Sequence, residues 1–202
     1  MTNALIIVDV QNDFCEGGSM GVDGGNAVAQ GIADLLSADH GFDLVLATQD
    51  WHIEPGSHFS TAPDFVDSWP VHCVAGSHGA ALNPALAPVT DKIDAMVRKG
   101  RYEAAYSGFE GRVVTGSEAE APEPGPTDPL PGVPLAAWLR EREVTGVTVV
   151  GIATDFCVRA TALDAAAEGF RTTVDASLCA AVHPDNVESV LEEFTAHKIN
   201  VG

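Results

Sequence analysis

Three residues far apart in the sequence have the types needed for acyl-transfer chemistry. Cys157 lies in the stretch Gly151-Ile152-Ala153-Thr154-Asp155-Phe156-Cys157-Val158-Arg159-Ala160-Thr161. The apolar run Val147 to Ile152 reads as a buried parallel strand, and Val158, Thr161, Ala162 and Ala165 fall on one face of a following helix. Asp155 or Thr154 can cap that helix. Cys157 is then expected in the first helical turn, just past the carboxyl end of a strand, where open α/β sheets bind ligands. The helix N–H groups and dipole favour a thiolate there, can lower the thiol pKa, and can hold a developing oxyanion. A buried core cysteine is the commoner fate of a free thiol, but the strand-turn-helix position favours a nucleophile. Asp9 ends the apolar run Ala4 to Val10, and Lys99 follows the short run Ala95 to Arg98. In a parallel sheet all three emerge at one edge. A thiol needs a base and a positive charge, which Asp9 and Lys99 can supply. Singly, Asp9 reads as a turn residue and Lys99 as a solvated surface lysine. Jointly with Cys157 the functional reading is the better one, and with no histidine at a strand end a Cys-His pair is not the first choice.

A second cluster is Asp50, His52, His58 and His72. Asp50 and His52 are two apart in an extended segment and face the same way, Pro55-Gly56 can turn the chain to bring His58 back, and His72 follows in the same loop. A carboxylate with imidazoles suits a divalent Zn, Fe or Mn ion rather than calcium. Each histidine alone reads as a hydrogen-bonded loop residue, and His78 is a rival ligand. The glycine-rich Gly17 to Gly25 lacks a Gly-Lys-Ser/Thr and is connection rather than a phosphate loop.

The elements that must position these groups alternate. Strands are expected at Ala4–Val10, Leu44–Thr48, Ala95–Arg98, Val147–Ile152 and Thr172–Val174. Helices are expected at Asn26–Ser37, from Pro134 to Arg142, after Thr154, and over Pro184–Ala196. This predicts an α/β fold, a doubly wound, mostly parallel sheet with helices on both faces. The 202 residues suit one domain spanning 1–202. Gln49 to Asn83 has little periodicity, and a loop that long is usually functional. Residues 116–134 hold six of the twelve prolines and four acidic residues, and read as a solvated surface insertion. The net charge of −19 argues against nucleic acid and anionic membranes as partners. Four scattered cysteines without a CxxC, and no signal-like segment, favour a reduced, cytoplasmic setting.

The chain resembles the nicotinamidases (pyrazinamidases) of the isochorismatase-like superfamily over nearly its whole length. The matching pieces are Ile7-Val8-Asp9-Val10-Gln11-Asn12-Asp13-Phe14, Gln49-Asp50-Trp51-His52, Pro55-Gly56-Ser57-His58-Phe59, Trp69-Pro70-Val71-His72-Cys73, Lys99-Gly100, Tyr106-Ser107-Gly108-Phe109 and Ala153-Thr154-Asp155-Phe156-Cys157-Val158. The resemblance implies a catalytic Asp9, Lys99 and Cys157, and a divalent metal on Asp50, His52, His58 and sometimes His72. It implies a cis peptide before Ala153, with the N–H groups of Ala153 and Cys157 facing the oxyanion. It also implies substrate walls of Phe14, Trp69 and Tyr106, with Ile152 beside them. The implied reaction is hydrolysis of nicotinamide, a small-molecule amide, and of pyrazinamide, in NAD salvage. A homo-oligomer is compatible with the sequence. The rival readings are another cysteine amidase of the superfamily, of the N-carbamoylsarcosine type, and a non-catalytic module that binds a metal or small ligand. His52 and His58 argue against the first, and the filled catalytic positions against the second.

Overall fold

The computed structural model describes residues 1–115 and 122–202, so what was expected of residues 116–121 lies outside the described residues. The strands are β1 (Thr2–Val8), β2 (Leu44–Asp50), β3 (Ala95–Lys99), β4 (Arg112–Val114), β5 (Val133–Pro134), β6 (Val144–Ile152), β7 (Arg171–Ala180) and β8 (Asn200–Val201). They form one sheet in the order β5-β4-β3-β2-β1-β6-β7-β8. The six strands from β3 to β8 in that order pair in parallel, and β4 and β5 add an antiparallel edge.

The helices are α1 (Gly25–Ser37), α2 (Leu135–Glu141), α3 (Arg159–Ala167) and α4 (Val187–Ala196). The alternation along β1 shows why both faces are covered. Ala4, Ile6 and Val8 pack with Leu139 of α2, Ala162 of α3 and Phe194 of α4. Leu5 and Ile7 point the other way, among Ile32 and Leu36 of α1 and Leu86 of a 3-10 stretch, Pro84–Lys92. A strand buried on both faces reads as a continuous apolar run, and each such Leu or Ile contributes roughly 1.5–3 kcal/mol of burial. No helix among the described residues is long and apolar enough to cross a membrane.

The strand order reverses at β1, which lies between β2 and β6. The carboxyl ends of β1 and β6 therefore flank the switch point, where open α/β sheets place their sites. Gly151 lets the two strands meet closely there. Its φ is +119°, and a Cβ would lie 2.2 Å from the Val8 carbonyl oxygen.

Several elements differ from the sequence expectation. β1 ends at Val8, and Asp9 turns the chain with φ +48°, a left-handed conformation that Asp tolerates better than most residues. β2 runs on to Asp50, and β3 includes Lys99 as its last residue. β7 is longer than Thr172–Val174. β4 and β5 were not anticipated, since one is three residues long and the other ends on a proline, a residue confined to sheet edges. The long loop after β2 is tied down by single bridges between His52 and Val74 and between Phe59 and Trp69.

Candidate active site

Cys157 lies in a single turn of π-helix, Thr154–Val158, between β6 and α3. No side chain caps this turn, so the expected cap by Asp155 or Thr154 is not formed. The Asp155 carboxylate instead accepts from the backbone N–H groups of Val182 and His183, each at 2.9 Å, which fixes the loop after β7. The peptide bond between Ile152 and Ala153 is cis.

Lys99 is fully buried, and its ammonium is the hub of the site. It lies 2.9 Å from Asp9 Oδ2 and 3.8 Å from Cys157 Sγ. It donates to the Ala105 carbonyl at 3.1 Å and makes a short contact with Asp50 Oδ1. The trio expected at one sheet edge is thus brought together, and Lys99 also joins it to the first residue of the second cluster.

Thr48 sets the rotamer of Asp9, since its hydroxyl donates to Asp9 Oδ1 at 2.6 Å and accepts from the Asp9 N–H at 3.1 Å. That leaves Asp9 Oδ2 buried and paired with the Lys99 ammonium, with a further lone pair that can accept a proton from the thiol. Burial pushes the Asp9 carboxyl up, and Asp50 adds to this while Lys99 opposes it. Burial also pushes the Cys157 thiol well above its ordinary range, with Lys99 pulling the other way. The expected lowering of the thiol pKa by the helix end is therefore not what the site does. The resting thiol keeps its proton, with a raised carboxyl close by to take it.

On the far side of Asp50, the rings of His52, His58 and His72 pack with centroids 4.9–5.4 Å apart. Asp50 Oδ2 lies 3.6 Å from His52 Nε2 and 3.8 Å from His72 Nε2. His52 Nδ1 donates to the Gly100 carbonyl at 2.5 Å and His72 Nδ1 to the Pro70 carbonyl at 2.7 Å. Such bonds fix the tautomer and leave Nε2 as a lone-pair donor. His52 Nε2 and His58 Nδ1 are buried without a hydrogen-bond partner, an arrangement that costs free energy unless something binds there. Burial pushes the His58 imidazole down to about 4, helped by His52 and His72. Burial also lowers His72. Neutral imidazoles beside a carboxylate fit a divalent ion, and one ligand atom from each histidine can come within 4.8 Å of the others. Burial pushes Asp50 up, but Lys99 and the histidines outweigh it and hold the carboxyl below its usual range. The rival ligand His78 stands apart, against Asn12.

Between the two clusters is a pocket open to solvent, lined by Phe14, Trp69, Tyr106, Ile152, Ala153 and Cys157 among others. All four expected wall residues line it. Sequence reasoning missed Phe156, whose ring lies 5.2 Å from Trp69 edge-on and 6.2 Å from Tyr106 in a stack. It also missed Val182 and Met20. Two supporting polar residues were missed as well. Thr48 shows only as a hydroxyl in a buried strand beside Asp9. Gln11 clamps the backbone of Asp50, donating to its carbonyl and accepting from its N–H, both at 2.9 Å. A glutamine two residues after the strand-end aspartate is the only trace of this in the sequence.

Gly100 gives a prediction. Its φ is +71°, and a Cβ there would meet His52 Cε1 at 2.7 Å. Gly100→Ala should push the imidazole off its carbonyl partner and weaken divalent-metal binding by ~10-fold or more, the usual range for a lost supporting contact. A chelator-competition titration reads this, and an unchanged dissociation constant would contradict the role of the Gly100 carbonyl.

The geometry has clear counterparts among known proteins. The profile of the isochorismatase domain matches residues 3–113 and 128–201. The chain is 48% identical over 198 residues to the nicotinamidase/pyrazinamidase of Mycobacterium tuberculosis, covering 98% of this chain and 97% of that protein. Its fold matches the PnC1 protein of L. infantum, solved in complex with nicotinate, with a TM-score of 0.81, 35% identity, and coverage of 100% of this chain and 92% of that one. It also matches the pyrazinamidase of Pyrococcus horikoshii, solved in complex with zinc, with a TM-score of 0.75, 31% identity, and coverage of 100% and 99%. With the domain profile and a 48% identical relative both matched over nearly its full length, the chain belongs to the isochorismatase family.

Proposed function

We propose that this chain is a nicotinamidase, hydrolysing nicotinamide to nicotinate and ammonia through a thioester on Cys157, with pyrazinamide as a further substrate. NAD salvage in the cytoplasm is its setting, and residues 1–202 act as one hydrolase domain carrying an acidic, proline-rich addition near 116–134. One observation carries this reading. Cys157 of the first cluster and Asp50, His58 and His72 of the second line the same aromatic-walled pocket, with Asp9 and Lys99 buried behind Cys157. In this reading a flat ring would sit between Phe14, Trp69, Tyr106 and Phe156, with its carboxamide toward Cys157 and its ring nitrogen toward the histidines.

An unactivated carboxamide is a poor electrophile, and covalent catalysis splits its hydrolysis into two easier steps. Asp9 Oδ2 takes the proton of Cys157, and Sγ bonds to the amide carbon. The raised carboxyl suits this work, because a carboxylate held above its ordinary pKa by burial is a stronger base than a free one. Lys99 balances the thiolate and the carboxylate. The N–H groups of Ala153 and Cys157 receive the oxyanion, and removing one such donor typically costs ~10²–10³ in turnover. As the C–N bond breaks, Asp9 returns the proton to the departing nitrogen, releasing ammonia. Water then attacks the thioester with Asp9 again as base, giving nicotinate and the free thiol. Asp50, His52, His58 and His72 would hold a divalent ion, which would supply Lewis-acid polarisation and orientation for the substrate.

An ammonia-release assay over nicotinamide, pyrazinamide and benzamide tests this. Nicotinamide should turn over, and benzamide, which lacks the ring nitrogen, should be poor. Stripping the metal should cost nicotinamide turnover ~10²-fold through misalignment, while alkylation of Cys157 continues at close to its former rate. No ammonia from nicotinamide would sink the reading. If benzamide matches nicotinamide with metal bound and both fail without it, the ion acts on the carbonyl or on water, and it does not serve to orient the ring.

A further inference from the structure

The proline-rich addition near 116–134 was expected to be a passive surface, and residues 114–127 fall outside the family match. Glu123, within that gap, is not passive. One carboxylate oxygen accepts from the Trp51 indole N–H at 2.6 Å, and the other accepts from Arg101 Nε at 2.9 Å. Arg98 approaches the first oxygen at 3.5 Å and lays its guanidinium over the Trp51 ring, 3.7 Å from the centroid. The next residue is tied down too, since the Tyr102 hydroxyl donates to the Pro124 carbonyl.

These partners have neighbours that matter. Trp51 stands between Asp50 and His52, and Arg98 and Arg101 bracket Lys99 and Gly100. The backbone stitches the two segments together. The Trp51 N–H donates to the Lys99 carbonyl at 2.9 Å, and the Arg101 carbonyl accepts from Ile53 and Glu54 at 2.9 and 3.0 Å. The Gly100 carbonyl holds His52 Nδ1. The Arg101 side chain is only 2% exposed, whereas Glu123 is 28% exposed and reaches in from outside. Burial pushes the Glu123 carboxyl up, but its bonds from Arg101 and Trp51 outweigh this and keep it below its usual range.

We propose that Glu123 is a positioning residue for the metal cluster, its carboxylate tying the Trp51 and Arg101 side chains together so that Asp50, His52 and the Gly100 carbonyl keep their places. This rests on the reading of Asp50, His52, His58 and His72 as a divalent-metal site. Glu123 touches neither substrate nor ion. It acts at the back of the two segments that carry the ligands, which makes Glu123 and the adjoining Pro124 part of the site's support.

The test is zinc affinity, measured by chelator competition on full-length wild type, Glu123→Gln and Glu123→Ala, beside the alkylation rate of Cys157 in the metal-free proteins. Glutamine keeps the size but cannot serve two N–H donors with a full carboxylate. The zinc dissociation constant should rise by ~10-fold or more in both variants, as for other lost supporting contacts, with Cys157 alkylation within about twofold of wild type. Trp51→Phe removes the indole donor and should weaken zinc in wild type but add little on top of Glu123→Ala, the non-additivity expected of a shared network. Zinc affinity in Glu123→Gln within about twofold of wild type would overturn the proposal. So would a rise matched by an equal change in Cys157 alkylation, which marks a general loss of structure. If wild type itself binds none of zinc, iron and manganese, the metal reading fails, and the positioning role of Glu123 fails with it.

Discussion

Cys157→Ala should reduce nicotinamide turnover to less than about a hundredth of wild type, since nucleophile removal forfeits the covalent route and leaves only binding and oxyanion contacts. The fold should survive. Cys157 borders the pocket on one side and the core layer on the other, and alanine shares its small size. Zinc binding should also survive, because the histidine cluster is held by the Gly100 and Pro70 carbonyls and not by the thiol. The other cysteines make a useful contrast. Cys15 and Cys73 are buried away from that cavity, and burial pushes the Cys179 thiol up to about 12. Serine at any of those three should keep most activity. Turnover above a hundredth in Cys157→Ala, with folding confirmed by circular dichroism, would remove the thiol from the reaction.

Lys99→Met should be nearly as severe, and it should also destabilise the protein. Methionine keeps the length of the side chain and loses the charge that stands among Asp9, Asp50 and Cys157. Removing one partner from a buried ion pair typically costs ~3–5 kcal/mol. The pH dependence has a definite sign. In wild type the Asp50 carboxyl is held below its unfolded pKa, so its contribution to stability is present above that value and is lost as pH falls through the lower folded one. Without Lys99, burial raises both Asp9 and Asp50 in the folded state. Each then favours folding while protonated and opposes it as pH rises. The stability deficit of Lys99→Met should therefore be largest at neutral pH and shrink toward pH ~4, where carboxyls protonate. Urea midpoints at the two pH values check this. Turnover should fall by ~10² or more, as expected when acid–base function is disturbed, and Cys157 alkylation should slow across the pH range. Equal midpoints and equal alkylation rates in the two proteins would contradict the role of Lys99.

What could be read in the sequence follows from how local each signal was. β1 announced itself because Leu5 and Ile7 face one layer of helices and Ala4 and Ile6 the other, which leaves no polar interruption. Asp9, Lys99 and Cys157 could be found because each closes or follows such a run, and a parallel sheet sends all the run ends to one edge. The histidines could be found because three fall in one aperiodic loop. The supporting contacts were not legible. Thr48 reaches Asp9, and Gln11 reaches Asp50, across 39 residues of sequence, and no local rule registers such pairs. Asp155 misled for the same reason. A cap was the nearest local use for its carboxylate, but the N–H groups of Val182 and His183 claimed it. The thiol pKa was misjudged because a helix end is a local feature, whereas burial is a property of the whole fold and dominates at Cys157. Composition alone described the stretch near 116–134, and composition does not reveal that Glu123 reaches Trp51 and Arg101.

The central claim is that the acyl group passes through Cys157. Zinc-loaded protein turning over nicotinamide can be quenched in acid at a series of times, digested, and the peptide containing Cys157 weighed by mass spectrometry. The account predicts a nicotinoyl group on that peptide during turnover, absent once substrate is exhausted and absent from the peptides of Cys15, Cys73 and Cys179. Nicotinate produced at the full rate while the Cys157 peptide stays unmodified at every quench time would contradict it.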